Sequence, residues 1–280
     1  MDEDIIINDI LRRLSKLEKE VQSLSSYSKL LGLKEFINTP KCDLGGNAWR
    51  LYELCQGVSN ARFLDLGVRD GMSSALMSFD AKEKNNRVCG CDVDFSSFLQ
   101  NGEHFVDDTY TRYQADSVTL GKYWEEPPFD LIFVDTLHTR EQVLAELYFW
   151  SNHLQDNGFF VFHDSHWDHT TEGDHIGGKE WRRVDEAITE FFNLPKNVME
   201  LNSYASDDIM LHHYASDFGM TFIQVKKPDA IARFKEGIDW KEVFDLRNEL
   251  NDMHFNKENP NFVDWGQDIP NIQNELVITP

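Results

Sequence analysis

From Ala61 onward the chain switches between two hydrophobic rhythms. Short apolar runs of strand length, ARFLDLG, RVCGCDVD, TRYQADS, FDLIFVD and GFFVFHD, take turns with longer amphipathic stretches. In those stretches, GMSSALMSFDAK, REQVLAELYFWSNHL and RVDEAITEFF, apolar residues recur at helical spacing. A last strand pair is expected around NVMELNS and MTFIQVKK. FLDL, LIFV and FFVF show no polar alternation, the pattern of strands covered on both faces by helices. The expectation is an α/β fold: a doubly wound, mostly parallel sheet of seven strands.

Two flanking regions carry other patterns. Ile7, Ile10, Leu14, Leu17, Val21 and Leu24 alternate three and four apart, an a/d seam of about three heptads. A helix with such a stripe lies against its own domain or pairs with a second copy, and self-association into a homo-oligomer through a coiled coil is the preferred expectation. At the other end, DAIARFKEGIDWKEVFDLRNELNDMHF has helical spacing, whereas NKENPNFVDWGQDIPNIQNELVITP has little. The expected organisation is an N-terminal helix over 1–31, a helical cap over 32–59, the main core over 60–228 and a helical extension with tail over 229–280.

Composition narrows the partners. With 27 Lys and Arg against 49 Asp and Glu, the net charge of -22 would repel a phosphate backbone, so nucleic acid is excluded as a partner. No apolar stretch approaches the ~18 residues a membrane helix needs, and the acidic start is unlike a secretory signal. A cytoplasmic protein without membrane contact is expected. The four cysteines show no zinc or disulfide spacing and read as reduced thiols.

In an open parallel sheet, ligands bind beyond the carboxyl ends of the strands. Asp65, Asp92, Asp116, Asp135 and Asp164 all stand there. The first apolar run continues as FLDLGVRDGMSS, where glycines at 67 and 71 allow close backbone approach to a ligand. The spacing D-x-G-x-x-x-G departs from the dinucleotide fingerprint, and the carboxylate suits a ligand bearing ammonium or sulfonium charge better than a pyrophosphate.

In these motifs the stretch from about residue 60 to 227 resembles the class I S-adenosylmethionine-dependent methyltransferases. The resemblance implies that Asp65, Gly67, Gly71 and Ser73 form the first motif, at the methionine part of the cofactor. It places Asp92 at the ribose hydroxyls, with Asp94 the competing acid, and Asp116 with Ser117 at the adenine. Asp116 is also suited to cap the helix that follows.

FDLIFVDTLHTREQVLAELYFWSNHLQDNGFFVFHD is similar to the branch holding metal-dependent sugar O-methyltransferases and cephalosporin-hydroxylase-like proteins. That resemblance implies a divalent ion, magnesium or manganese, held by Asp135, His163 and Asp164, with His138 as general base beside Asp135. His163 stands where related proteins commonly have an acid, and imidazole suits manganese, iron or zinc better than magnesium. The stretch after Asp164 adds His166, Trp167, Asp168, His169, Asp174, His175 and Trp181 without a metal-ligand framework; an acceptor-binding loop accounts for the composition equally well. The expected activity is methyl transfer to a hydroxyl of a small molecule or glycan, a sugar being favoured. The alternatives are an iron-dependent hydroxylase on the same scaffold and a non-catalytic subunit that binds an adenosyl ligand.

Overall fold

The computed structural model of the chain describes residues 13, 16, 27–39, 42–166, 175–176, 179–180, 183–227, 229–255 and 277–279. Two compact units separate, Met1–Cys42 and Asp43–Pro280. In the first, residues 27–37 are helical. The apolar seam from Ile7 to Leu24 lies outside the described residues, as do Trp167, Asp168, His169, Asp174, Trp181 and the His175 side chain.

The second unit opens with helix α1 (Ala48–Gln56), then alternates β1 (Arg62–Leu66), α2 (Met72–Ser78), β2 (Arg87–Asp92), α3 (Ser96–Asn101), β3 (Tyr110–Gln114), α4 (Ser117–Lys122), β4 (Phe129–Val134), α5 (Arg140–Trp150) and β5 (Leu154–His163). A two-residue hairpin pair, β6 (His175–Ile176) and β7 (Lys179–Glu180), precedes α6 (Val184–Phe191). Then come β8 (Ser203–Ala205), β9 (Ile209–Tyr214), β10 (Met220–Val225), α7 (Ala230–Phe234), α8 (Trp240–Phe255) and β11 (Val277–Thr279).

The main sheet runs β11-β3-β2-β1-β4-β5-β10-β9-β8. Its central five strands, β3-β2-β1-β4-β5, are parallel. Leu64, Leu66, Ile132, Phe133, Phe160 and Phe162 are each at most 1% exposed, so consecutive residues of β4 are buried on both faces. That burial is why these strands lack polar alternation. From β1 the sheet grows one way through β2 and β3 and the other way through β4 and β5, which puts a switch point, and its crevice, between β1 and β4.

Two expectations need correction. Among the described residues the sheet has nine strands where seven were expected, and four of its eight pairings are antiparallel, all of them outside the central five. The strand expected at NVMELNS is instead a 3-10 turn, Val198–Leu201, ended by Asn202 at φ 57. The pairing strand is β9, whose inward positions Ile209, Leu211 and His213 are buried. A buried histidine between polar neighbours hides the alternation that would have marked it.

Candidate active site

Strand register delivers the acids to one edge. Val134 of β4 lies opposite Phe162 of β5, so the next residues on both strands, Asp135 and His163, emerge side by side. Leu66 of β1 pairs with both Cys91 and Val134, which sets Gly67 between Asp92 and Asp135. The Gly67 amide donates to the Cys91 carbonyl at 2.9 Å, and the Asp135 amide donates to the Leu66 carbonyl at 2.8 Å.

The first-motif residues form a tight structural knot. Gly67 and Gly71 adopt φ +88° and +87°, the left-handed region that glycine tolerates at least cost. Asp65 is fully buried; its Oδ2 accepts from the hydroxyls of Ser73 (2.8 Å) and Ser74. Ser74 in turn lies 2.8 Å from the Tyr110 hydroxyl. Burial pushes the Asp65 pKa up to about 7 against the pull of the two serines. Its Oδ1 is buried with no partner among the described residues. A buried carboxylate oxygen calls for a donor, and in this respect the turn fits a ligand with an ammonium group. Asp65 and Ser73 are turned inward, so any contact they make lies beneath the turn.

Asp92 is half-buried beside that turn. Its Oδ2 accepts from the Arg69 amide (2.8 Å) and its Oδ1 from the Asp94 amide (3.0 Å). Each oxygen keeps a lone pair, so the carboxylate fits a diol. Burial raises its pKa, and the backbone amides oppose the rise. The competing acid, Asp94, instead receives the Ser96 amide at 2.9 Å and caps the turn into α3.

The pair expected at the adenine sits in a buried polar network. Asp116 caps α4, its Oδ2 accepting from the Thr119 amide at 2.8 Å, while its Oδ1 is ion-paired with Arg247 of α8. Arg247 Nε also donates to Gln142 at 2.9 Å, and Gln142 donates to the Ser117 hydroxyl at 3.0 Å and to Glu146 at 2.8 Å. Ser117 and Thr136 both donate to Glu146 Oε1. The Ser117 side chain is thus spent on protein contacts. Glu146 is 1% exposed, and burial pushes its pKa up to about 7 against those three donors.

At the other side of the switch point stands a cluster of acids and imidazoles. His138 Nε2 lies 3.1 Å from Asp135 Oδ1 and 3.0 Å from Asp164 Oδ2. His163 Nδ1 lies 3.3 Å from the same Asp135 oxygen and 3.7 Å from Asp164 Oδ1. Burial opposes charge on His138, but Asp164 and Asp135 outweigh it and push the pKa up to about 10. Burial likewise opposes charge on His163, yet Asp135 carries its pKa to about 9. Burial would raise Asp135, but His163 and His138 hold it well below the usual carboxylate range. Metal-capable groupings differ from the expected Asp135, His163 and Asp164: one is Asp135, His138 and Asp164, the other Asp43, Asp135 and His163. The donor sets fit a divalent cation, and the imidazoles favour manganese, iron or zinc over magnesium.

Sequence reading missed Asp43, Arg69, Gln142, Glu146 and Arg247. Asp43 precedes the pair Gly45 and Gly46 in a segment without periodicity, and only long-range contacts seat it. The Gly46 amide donates to Asp217 at 3.0 Å, and Asn47 donates to the Ser216 carbonyl at 2.8 Å. Glu146 sits in a helix whose residues 141–147 are all buried, polar ones included, and Arg247 in a helix with an exposed face; in neither does local sequence separate a buried charge from a solvated one.

Residues 64–165 match the family model described as a methyltransferase domain. No curated protein matches the chain. Similar solved structures include the SAH-bound methyltransferase PaMTH1 of Podospora anserina, at 16% identity and a TM-score of 0.49, covering 75% of this chain and 97% of that one. An O-methyltransferase from Bacillus cereus in complex with SAH gives 16% identity and a TM-score of 0.44, covering 72% and 91%. The MycE methyltransferase of the mycinamycin biosynthetic pathway, in complex with Mg, SAH and mycinamycin VI, gives 16% identity and a TM-score of 0.46, covering 77% and 59%. These likenesses are distant; the fold assignment rests on the strand order and register above.

Proposed function

We propose that this chain, whose residues 64–165 match a methyltransferase-domain model, is an S-adenosylmethionine-dependent enzyme that methylates a hydroxyl of a small molecule or glycan, with sugar hydroxyls favoured and a divalent cation assisting. The observation that carries the O-directed reading is the position of Asp135, His138 and Asp164 directly across the switch point from the Gly67 turn. On this reading an imidazole and an anionic clamp would stand beside the methyl donor.

The cofactor would be held by the turn at Gly67 to Gly71 and by Asp92, whose free lone pairs suit the ribose diol. At the adenine end Asp116 is fixed by Thr119 and Arg247, so its side chain shapes the wall and is left little capacity for a further bond. Transfer forms a bond from the acceptor oxygen to the methyl carbon as the carbon–sulfur bond breaks and its electron pair returns to sulfur. The hydroxyl proton must leave, and His138 is the base within reach of the acids that orient it.

In the protein alone, Asp135 and Asp164 hold a proton on His138. Asp135 and Asp164 would hold a divalent cation, whose positive charge would weaken this hold and would lower the pKa of an acceptor hydroxyl. Asp135 and Asp164 thus have two tasks, fixing the imidazole and offering anionic oxygens. Binding two reactants in one crevice supplies the remaining orientation.

The test is transfer of an isotopically labelled methyl group from S-adenosylmethionine to a panel of sugars and glycosides, with magnesium or manganese added after chelator treatment. Product carrying one labelled methyl, lost in Asp135→Asn, is the expected result. Unchanged transfer in Asp135→Asn would overturn the assignment of this cluster, and absence of S-adenosylhomocysteine binding by calorimetry, with NAD as control, would overturn the cofactor.

A further inference from the structure

The geometry points to a second divalent-cation site beside the first, built from Asp43, Asp135 and His163, so that Asp135 bridges a binuclear centre. This rests on the reading that Asp135 and Asp164 hold a cation, and it adds an ion that the expected ligand set did not contain.

Asp135 is the hub. Its Oδ1 lies between two imidazole nitrogens, 3.1 Å from His138 Nε2 and 3.3 Å from His163 Nδ1. The two three-residue groups share only this residue, and within each the donor atoms lie within 4.8 Å of one another. Donors about 2.1 Å from a common ion stand roughly 3.0–3.4 Å apart for octahedral or tetrahedral angles. The imidazole-to-carboxylate separations at Asp135 fall in that range. A carboxylate has two oxygens, and two-metal sites place their ions about 3.5–4 Å apart, a span one bridging carboxylate can serve.

His163 gives an independent indication. It is 1% exposed, and its Nδ1 faces only the site carboxylates, at 3.3 and 3.7 Å, longer than a good hydrogen bond. Its Nε2 is buried with no partner among the described residues. The Nδ1 separations are those of a nitrogen poorly held as a hydrogen-bond partner, and Nδ1 is the atom through which His163 would ligate an ion.

Arg69 occupies part of the charge balance, since it is ion-paired with Asp43. That pair is open to solvent, with side-chain exposures of 61% and 36%, so separating it costs little. In the metal-free protein the three carboxylates Asp43, Asp135 and Asp164 face Arg69 and the imidazoles of His138 and His163, so a divalent ion would enter in exchange for protons on the imidazoles.

The experiment is manganese loading of the full chain after chelator treatment, read by equilibrium dialysis at elevated salt and by electron paramagnetic resonance. Two ions per chain with an exchange-coupled spectrum are expected in the wild type, falling to one ion with an uncoupled spectrum in Asp43→Asn. Asp164→Asn is expected to lose the other ion. One uncoupled ion in the wild type, unchanged in Asp43→Asn, overturns the second site and leaves the first standing, with Arg69 as the resident cation. No bound ion at all overturns the metal-assisted reading and this proposal together. Asp43 is partly exposed, so Asp43→Asn is expected to keep the wild-type melting temperature, which confirms that any loss of metal is local.

Discussion

Gly67 packs against the carbonyl of Asp135 so closely that a Cβ at position 67 would stand 2.0 Å from that oxygen. The turn expected to approach the cofactor and the acid expected to serve the acceptor thus meet through backbone atoms. Two halves of the chemistry are held in one rigid contact, with the Asp135 amide bonded back to Leu66.

Gly67→Ala tests this contact. The clash with backbone, together with φ +88°, is expected to destabilise the fold by about 2–4 kcal/mol. A lowered melting temperature and loss of S-adenosylhomocysteine binding are the expected readouts, whereas wild-type behaviour in both would mean that the turn carries no such constraint.

Asp92→Ala separates binding from folding. The carboxylate accepts two backbone amides at a half-buried site, and removing it takes away a charged acceptor worth about 1.5–3 kcal/mol to a bound diol. Calorimetry should show S-adenosylhomocysteine affinity reduced roughly ten- to a hundredfold, with a smaller change in melting temperature.

Arg247→Met addresses the helix that sequence reading left without a role. Arg247 ties α8 to Asp116 and Gln142, and Leu250 and Met253 of the same helix pack on Leu137, between Asp135 and His138. Removing the guanidinium leaves Asp116 with an unpaired, largely buried charge, at a cost of about 3–5 kcal/mol. Asp116→Asn in the same chain should recover part of that loss in a denaturant titration; strict additivity of the two changes would show that the pair is not coupled.

Glu146 predicts a pH dependence with a definite sign. Its carboxyl titrates near 4.5 in an unfolded chain and near 7 in the fold. Between those values the folded state holds the extra proton, so this residue's contribution to stability falls as pH rises from about 4.5 to 7 and is level above. Glu146→Gln removes that slope. The difference in unfolding free energy between the variant and the wild type should therefore move in favour of the variant across this window, by on the order of 1–3 kcal/mol.

His138→Gln is expected to lower kcat by about a hundred- to ten-thousandfold, with S-adenosylhomocysteine affinity changed far less. The paired measurement distinguishes a base from a residue that merely shapes the pocket.

Much of the site was legible because strands buried on both faces advertise themselves as apolar runs. Whatever follows such a run in a parallel sheet lies on the ligand edge, and Asp92, Asp116, Asp135, His163 and Asp164 stand at or just past their strand ends, whereas Asp65, expected there too, lies within β1 and is fully buried. Roles were harder to read than places. Asp65 and Ser73 bond to each other beneath the turn, and Ser117 is consumed by Glu146 and Gln142. A one-dimensional pattern places a residue at a strand end but does not say which way its side chain points.

The amino-acid order alone determined the alternation of strands and helices, the glycine turn after β1 and the positions of the strand-end acids, because these depend on local periodicity and on backbone freedom at single residues. Only the tertiary structure decided that Asp43 joins His163, that His138 joins Asp164, and that Arg247 reaches Asp116 across 131 positions of chain. Those partnerships arise from segments far apart in sequence, brought together by burial of surfaces that carry no mark of their partner.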